Sequence, residues 1–365
     1  MKLIYSKRNI INNKYIKINI CVFFYIILFL IKFVFKNNKI YNNTNNLFKK
    51  LSLTSEIIKI YSNLYDANRN GYIKPKFEGK VINYPIQQQK KGILICSIGK
   101  KENLYIREYV DYYYLLGVDK IIIFDNNDIN DERFDYILED YIKKKYIDII
   151  DIRGFSSMQI PIYNYCYQQN KNNYDWIGFL DIDEYIYILN NVSFKNYIFN
   201  KVFEKCQTIY FNWIIYTDND KIKYENITLN KRFTKSKIKD NNGKSFVRGG
   251  YENLLIPTTM IPGINIYYFC NSNGERIYPN NFYNNDYQNN LTAFIKHYST
   301  KTAEEFCYKI KKGNAHYHKK HPNYIQSLKN RVFFFFFLNK ITKEKIEILE
   351  KCSGIDLNSL KIKIH

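Results

Sequence analysis

Two short apolar runs constrain the fold more than any other feature. ILICSIG (residues 93–99) and KIIIFDNND (120–128) have the Ile-rich character of strands buried on both faces. The intervening stretch from 102 to 116 reads as a helix, closed by Gly117. Strand, helix and strand together occupy about 35 residues, the size of a crossover between parallel strands. The expected architecture is α/β, with a doubly wound sheet whose ligands gather at the carboxyl ends of its strands. That rule puts Asp125 and Asn126, with Asn127, where a ribose or base would be met.

The second constraint is WIGFLDIDEYI (176–186), where an apolar lead-in through Ile177, Phe179 and Leu180 runs into Asp181, Asp183 and Glu184. In an extended chain alternate side chains share a face, so Asp181 and Asp183 are expected to point the same way. Two carboxylates so arranged at a strand end can grip Mg²⁺ or Mn²⁺, whose shell is completed by water and phosphate oxygens. Three acids crowded at a buried edge repel one another, which argues for a purpose.

Ahead of this region the chain divides by composition. Residues 1–17 form a short basic tail. Residues 18–35 (INICVFFYIILFLIKFVF) are apolar but for Asn19 and Lys32, close to the ~20 residues that cross a bilayer. No small-residue cleavage site follows, so an uncleaved single-pass anchor is expected, with the large domain outside the cytosol. That means Golgi or ER in a eukaryote and the inner membrane in a bacterium. Residues 36–90 read as an Asn-rich stem and linker with one amphipathic helix around Leu51 to Leu64.

The formal charge of +21 invites a nucleic-acid reading, but the lysines are scattered rather than striped, in a chain saturated with Ile, Asn and Tyr. No nucleic-acid partner is expected. A basic surface suits anionic ligands such as nucleotide diphosphates or lipid headgroups. The seven cysteines stand far apart without a CxxC pair, which excludes common zinc-finger spacings and leaves one or two bridges possible but the redox compartment open.

The run CSIGKKENLYIREYVDYYYLLGVDKIIIFDNND (96–128), together with WIGFLDIDEYI, resembles the glycosyltransferases of family 92, formerly DUF23, and their bacterial family 2 relatives. QIPIYNYC (159–166), KRFT (231–234), KSFVR (244–248) and HYSTKTAEEFCYKIKKG (297–313) follow in the order that the resemblance implies. It implies a GT-A, Rossmann-like catalytic domain over 91–313 with a C-terminal helical extension over 314–365. It also implies a nucleotide-sugar donor, a UDP-sugar favoured, a glycan or glycoconjugate acceptor, and inversion at the transferred carbon. Asp181 would lie near the ribose and metal, and Asp183 and His297 would complete the ligation of Mn²⁺ or Mg²⁺.

Neutral imidazole suits Mn²⁺ on chemical grounds, and nearby Lys301 could meet a phosphate. Arg232, Lys244 and Arg248 are candidates for neutralising the leaving diphosphate, or else for salt bridges. The acceptor hydroxyl needs a base, for which Glu184, Asp218 and Asp220 are the candidates. Trp213 could stack on a sugar or fill the core. Thr302 and Glu305 have capping-box spacing, which gives Glu305 a structural role. VFFFFFL (332–338) is too short to span a bilayer and reads as part of a packed C-terminal helix. Two rival functions remain at this level. A nucleotidyltransferase or metal phosphohydrolase is disfavoured by the single Gly99 after the first strand, and the other rival is a catalytically silent binding protein.

Overall fold

The computed structural model describes residues 47–63 and 92–357, apart from 48, 191, 253, 255–267, 278–290 and 313–323. The expected membrane anchor at 18–35 lies outside the described residues. Among those residues no helix is long and apolar enough to cross a membrane. The chain divides into two units, 1–56 and 57–365. The stem helix is present over 49–63.

The large unit begins with β1 (Gly92–Gly99), α1 (Ile106–Leu115) and β2 (Lys120–Asp125), and β1 and β2 pair in parallel. The helix buries Ile106, Tyr109, Val110 and Tyr113, the i, i+3, i+4, i+7 stripe of a helix lying on a sheet. Gly117 ends it at φ +86°, where a side chain would be strained, and the Val118 amide returns to the Tyr113 carbonyl at 3.1 Å. There follow α2 (Glu139–Lys143), β3 (Ile147–Asp151), α3 (Gln159–Asn170), β4 (Tyr174–Phe179), β5 (Glu184–Ile188), α4 (Phe194–Ile198) and β6 (Thr208–Tyr216). The remainder comprises α5 (Leu229–Arg232), β7 (Ser236–Arg248), β8 (Phe269–Cys270), β9 (Arg276–Ile277), β10 (Ala293–His297), α6 (Ala303–Lys312), α7 (Tyr324–Leu338) and α8 (Lys343–Ser353).

The strands form one mixed sheet in the order β3-β2-β1-β4-β7-β6-β10-β5, with β8 and β9 attached to β6. The pairings make β1, β2, β3, β4, β6 and β10 run one way, with β7 and β5 against them. The ends of β4 and β10 and the start of β5 therefore meet at one edge. His297 pairs with Glu184 there. Gly178 of β4 is required by packing, since a Cβ would lie 2.3 Å from the Phe246 ring.

Three disulfides join Cys96 to Cys166, Cys206 to Cys270 and Cys307 to Cys352. This exceeds the one or two bridges left open by spacing, because partners 45 to 70 residues apart are brought together only by the fold. Cys96–Cys166 ties β1 to α3, and Cys307–Cys352 ties α6 to α8. The helices α6, α7 and α8 share a core of their own that includes Phe306, Val332, Phe335 and Leu349. The phenylalanine run is helical as expected: Val332, Phe335, Phe336 and Leu338 are buried while Phe333 and Phe337 face outward.

Candidate functional site

The acidic segment sits in a tight turn between β4 and β5. The Glu184 amide closes it onto the Asp181 carbonyl at 3.1 Å, and the Asp181 amide donates to Glu184 Oε2 at 2.9 Å. The expectation of an extended chain with both aspartates on one face is thereby corrected. The turn instead sends the two carboxylates to different sets of partners. Its far side is pinned by α1, whose Tyr113 hydroxyl donates to the Glu184 carbonyl at 2.9 Å and accepts from the Ile186 amide at 3.1 Å.

Asp181 is the more open of the two, with its side chain about a third exposed. Its Oδ2 accepts from Lys244 Nζ at 2.9 Å and its Oδ1 from Gln159 Nε2 at 3.0 Å. Lys244 is fully buried on β7. Burial would lower its pKa, but Asp181 and Glu184 beside it hold it above the ordinary lysine value.

Asp183 is buried and faces three cationic or basic side chains. Lys309 Nζ donates to Oδ2 at 2.8 Å, Lys301 Nζ stands 3.7 Å from the same oxygen, and His297 Nε2 lies 3.7 Å from Oδ1. Burial would raise the Asp183 carboxyl, yet Lys309 and Lys301 hold it well below the usual carboxylate range. Burial pushes His297 down to about 4, so its imidazole is neutral at pH 7. A separation of 3.7 Å exceeds a hydrogen bond, so a carboxylate oxygen and a neutral nitrogen face each other across a gap. Trp213 packs against His297 with ring centroids 4.5 Å apart.

That opposed pair, one carboxylate oxygen and one imidazole nitrogen, offers two donors to a divalent cation such as Mn²⁺. Among the described residues no group of three or more His, Cys, Asp or Glu could hold a metal. Asp181, expected as a third ligand, is held by Lys244 and Gln159 instead. A cation at Asp183 and His297 would therefore draw its other ligands from substrate and water.

The remaining candidates divide by what they touch. Asp125 ends β2, as expected, but its Oδ1 accepts from the Asn127 amide at 3.0 Å and side chain at 2.8 Å, while Asn126 Nδ2 donates to the Phe155 carbonyl at 2.6 Å. Both side chains thus brace the loops there. Lys301 lies near Asp183 at φ +56°, its ammonium 4.3 Å from the centre of the Tyr105 ring.

Four expectations are corrected outright. Arg232 gives its fork to Glu305, at 2.8 and 2.9 Å, in a pair with both side chains 1% exposed; it has no face left for a diphosphate. Arg248 pairs across from Trp176, toward the start of β4 and away from the site, and donates to the Cys206 and Phe203 carbonyls at 2.9 and 2.8 Å. Asp218 is buried against Lys345 of α8 at 2.6 Å, which removes it as a base. Glu184 is likewise fully buried, and that burial raises its carboxyl well above the usual range. Asp220 is the exposed member of the three base candidates, in the loop that leaves β6 beyond the strand paired with β10.

Sequence reasoning missed Lys309, Gln159 and Tyr163, whose hydroxyl donates to Asp181 Oδ1 at 3.4 Å. Lys309 stood inside the quoted segment HYSTKTAEEFCYKIKKG, four residues after Glu305 and so on the same helix face. Its partner Asp183 is 126 residues away, and nothing local signals that. The capping box forms: the Glu305 amide donates to Thr302 Oγ1 at 3.2 Å, and Glu305 Oε2 accepts from the Thr302 amide at 3.2 Å.

Residues 91–255 match the sequence profile of glycosyltransferase family 92, so the family resemblance read from the sequence is borne out over that stretch. The matched stretch contains the Asp181–Glu184 turn. Family 92 proteins of Ricinus communis and Oryza sativa are 23% and 21% identical over 107 and 114 residues, 29% and 31% of this chain. One from Arabidopsis thaliana is 26% identical over 98 residues. Each aligned stretch covers less than a fifth of the relative's own length: 19%, 19% and 17%. Among solved structures, two of S. aureus TarS 1–349, the second in complex with UDP-GlcNAc, overlap 74% of this chain at 12% and 13% identity. They cover 85% and 76% of those chains, with TM-scores of 0.29 in both cases, a likeness too slight to bear on the site.

Proposed function

We propose that this chain is a membrane-anchored, metal-dependent glycosyltransferase of GT-A type. It would transfer a sugar from a nucleotide-sugar donor, a UDP-sugar first among them, to a hydroxyl of a glycan or glycoconjugate, with inversion. The observation that carries the reading is the family 92 match over a region whose acidic turn sets Asp183 opposite a neutral His297.

Asp183 and His297 would hold a divalent cation, whose charge would offset that developing on the leaving diphosphate. Lys301 and Lys309 add fixed positive charge at the same place. Lys244 and Gln159 hold Asp181 in one orientation, which suits it to a ribose hydroxyl. Proton removal from the acceptor falls to an open carboxylate, and Asp220 is the candidate that solvent reaches.

Anchoring rests on the apolar stretch 18–35. The three disulfides support a single-pass arrangement with the domain on the oxidising side: ER or Golgi lumen, or the outer face of a bacterial inner membrane. Calorimetry of UDP and GDP against the full chain in detergent, with Mn²⁺ and with chelator, tests the donor reading. Metal-dependent binding of one nucleotide is expected. A folded protein that binds neither overturns the reading.

A further inference from the structure

Beside the Asp183 site, between α6 and α7, lies a cavity of about 660 Å³. It falls outside the region that matches the family profile. Two of its wall residues also belong to the site. Lys309 reaches from α6 to Asp183, and Ser299, two residues past His297, accepts from Lys309 Nζ through its carbonyl at 2.9 Å. A molecule in this cavity would therefore sit one side chain away from Asp183.

The walls have a particular chemistry. Phe306 is buried at the base, and Phe334 offers a ring that is 37% exposed. Gln326 and Asn330 bond to each other at 2.9 Å on the exposed face of α7, with further donor and acceptor capacity on both amides. Arg331 donates to the Lys309 carbonyl at 3.0 Å and fixes the lysine's backbone.

Open aromatic surface beside paired amides suits a pyranose, whose C–H face packs on a ring while its hydroxyls bond at the edge. An acyl chain would cover the amides and take away their water without bonding to them. The volume lies in the usual range for small-ligand sites, about 300–1,000 Å³, with room for more than one sugar ring.

We infer that this cavity is the acceptor subsite and that its ligand is a saccharide, with Phe334 as the stacking platform and Gln326 and Asn330 as the hydroxyl readers. The inference rests on the glycosyltransferase reading above and gives its saccharide acceptor a place in the fold. It gives the C-terminal helices a substrate-selecting role, carried by α7.

The test uses the full chain in detergent with UDP and Mn²⁺, applied to a printed array of neutral and acidic glycans. Phe334→Ala and Gln326→Ala are compared with the unaltered protein, and UDP affinity is measured by calorimetry on the same samples. Expected is binding to a defined set of glycans, weakened about tenfold or more in each variant, with UDP affinity unchanged. Glycan binding untouched by both variants, or no glycan bound by a protein that binds UDP normally, overturns the subsite while leaving the donor reading in place. Absence of UDP binding in the unaltered protein overturns the donor reading, and the subsite falls with it.

Discussion

Replacing Arg232 with alanine should destabilise the fold by about 3 kcal/mol and leave nucleotide binding as it was. The guanidinium makes two short bonds to Glu305, at 2.8 and 2.9 Å, with both side chains 1% exposed. Breaking a buried pair by removing one partner typically costs about 3–5 kcal/mol, because the survivor is left charged and desolvated. Glu305 would retain bonds from the Tyr105 hydroxyl at 2.7 Å and the Thr302 hydroxyl at 2.8 Å, which puts the cost at the lower end. Unfolding entropy of about 2.1 cal/mol/K per residue over the roughly 300 residues of the large unit makes each kcal/mol worth about 1.5 °C of melting temperature, so a fall of about 5 °C is expected by scanning calorimetry.

The pH dependence carries a second signature of the same pair. Burial would raise the Glu305 carboxyl, but Arg232 holds it below its usual value. A carboxyl depressed in the folded state contributes stability that is full above its unfolded pKa of about 4.3 and is lost as pH falls through the folded value. The gap between the two proteins should therefore be largest near neutrality and shrink below about pH 4. An unchanged melting temperature together with a tenfold loss of UDP affinity would refute the reasoning and return Arg232 to the diphosphate.

Asp183→Asn, nearly isosteric, should remove metal-dependent UDP binding while keeping the fold; retention of Mn²⁺-dependent binding by calorimetry would clear Asp183 of that role. Asp218→Asn should lower the melting temperature by about 3 kcal/mol worth of stability, since it leaves Lys345 buried and unpaired. Asp220→Asn should spare stability and, if Asp220 is the base, cut kcat far more than KM; equal effects of the two variants on kcat would count against the division drawn between them. Removing the Cys307–Cys352 bridge with a double serine variant should cost about 4 kcal/mol by loop-closure entropy for a separation of 45 residues. Peptide mapping of the unreduced protein should recover all three bridges.

The acidic turn shows where local information ended. Sequence alone determined the crossover of β1, α1 and β2, because buried strands and an amphipathic helix carry their period within a few residues. It also determined the helix that begins at Thr302 and the apolar periodicity of the phenylalanine run, since caps and stripes are local. The family resemblance came from ordered motifs along a single stretch of chain. Tertiary structure alone decided which charge meets which. Arg232, Lys244 and Arg248 look interchangeable as letters, yet one is spent on Glu305, one on Asp181 and one on the carbonyls of Phe203 and Cys206. The disulfides and the Lys309–Asp183 contact join residues 45 to 126 positions apart, beyond the reach of any local pattern. The physical reason is common to all of these cases: a buried charge must find its partner wherever the fold brings one, and spacing along the chain does not encode that distance.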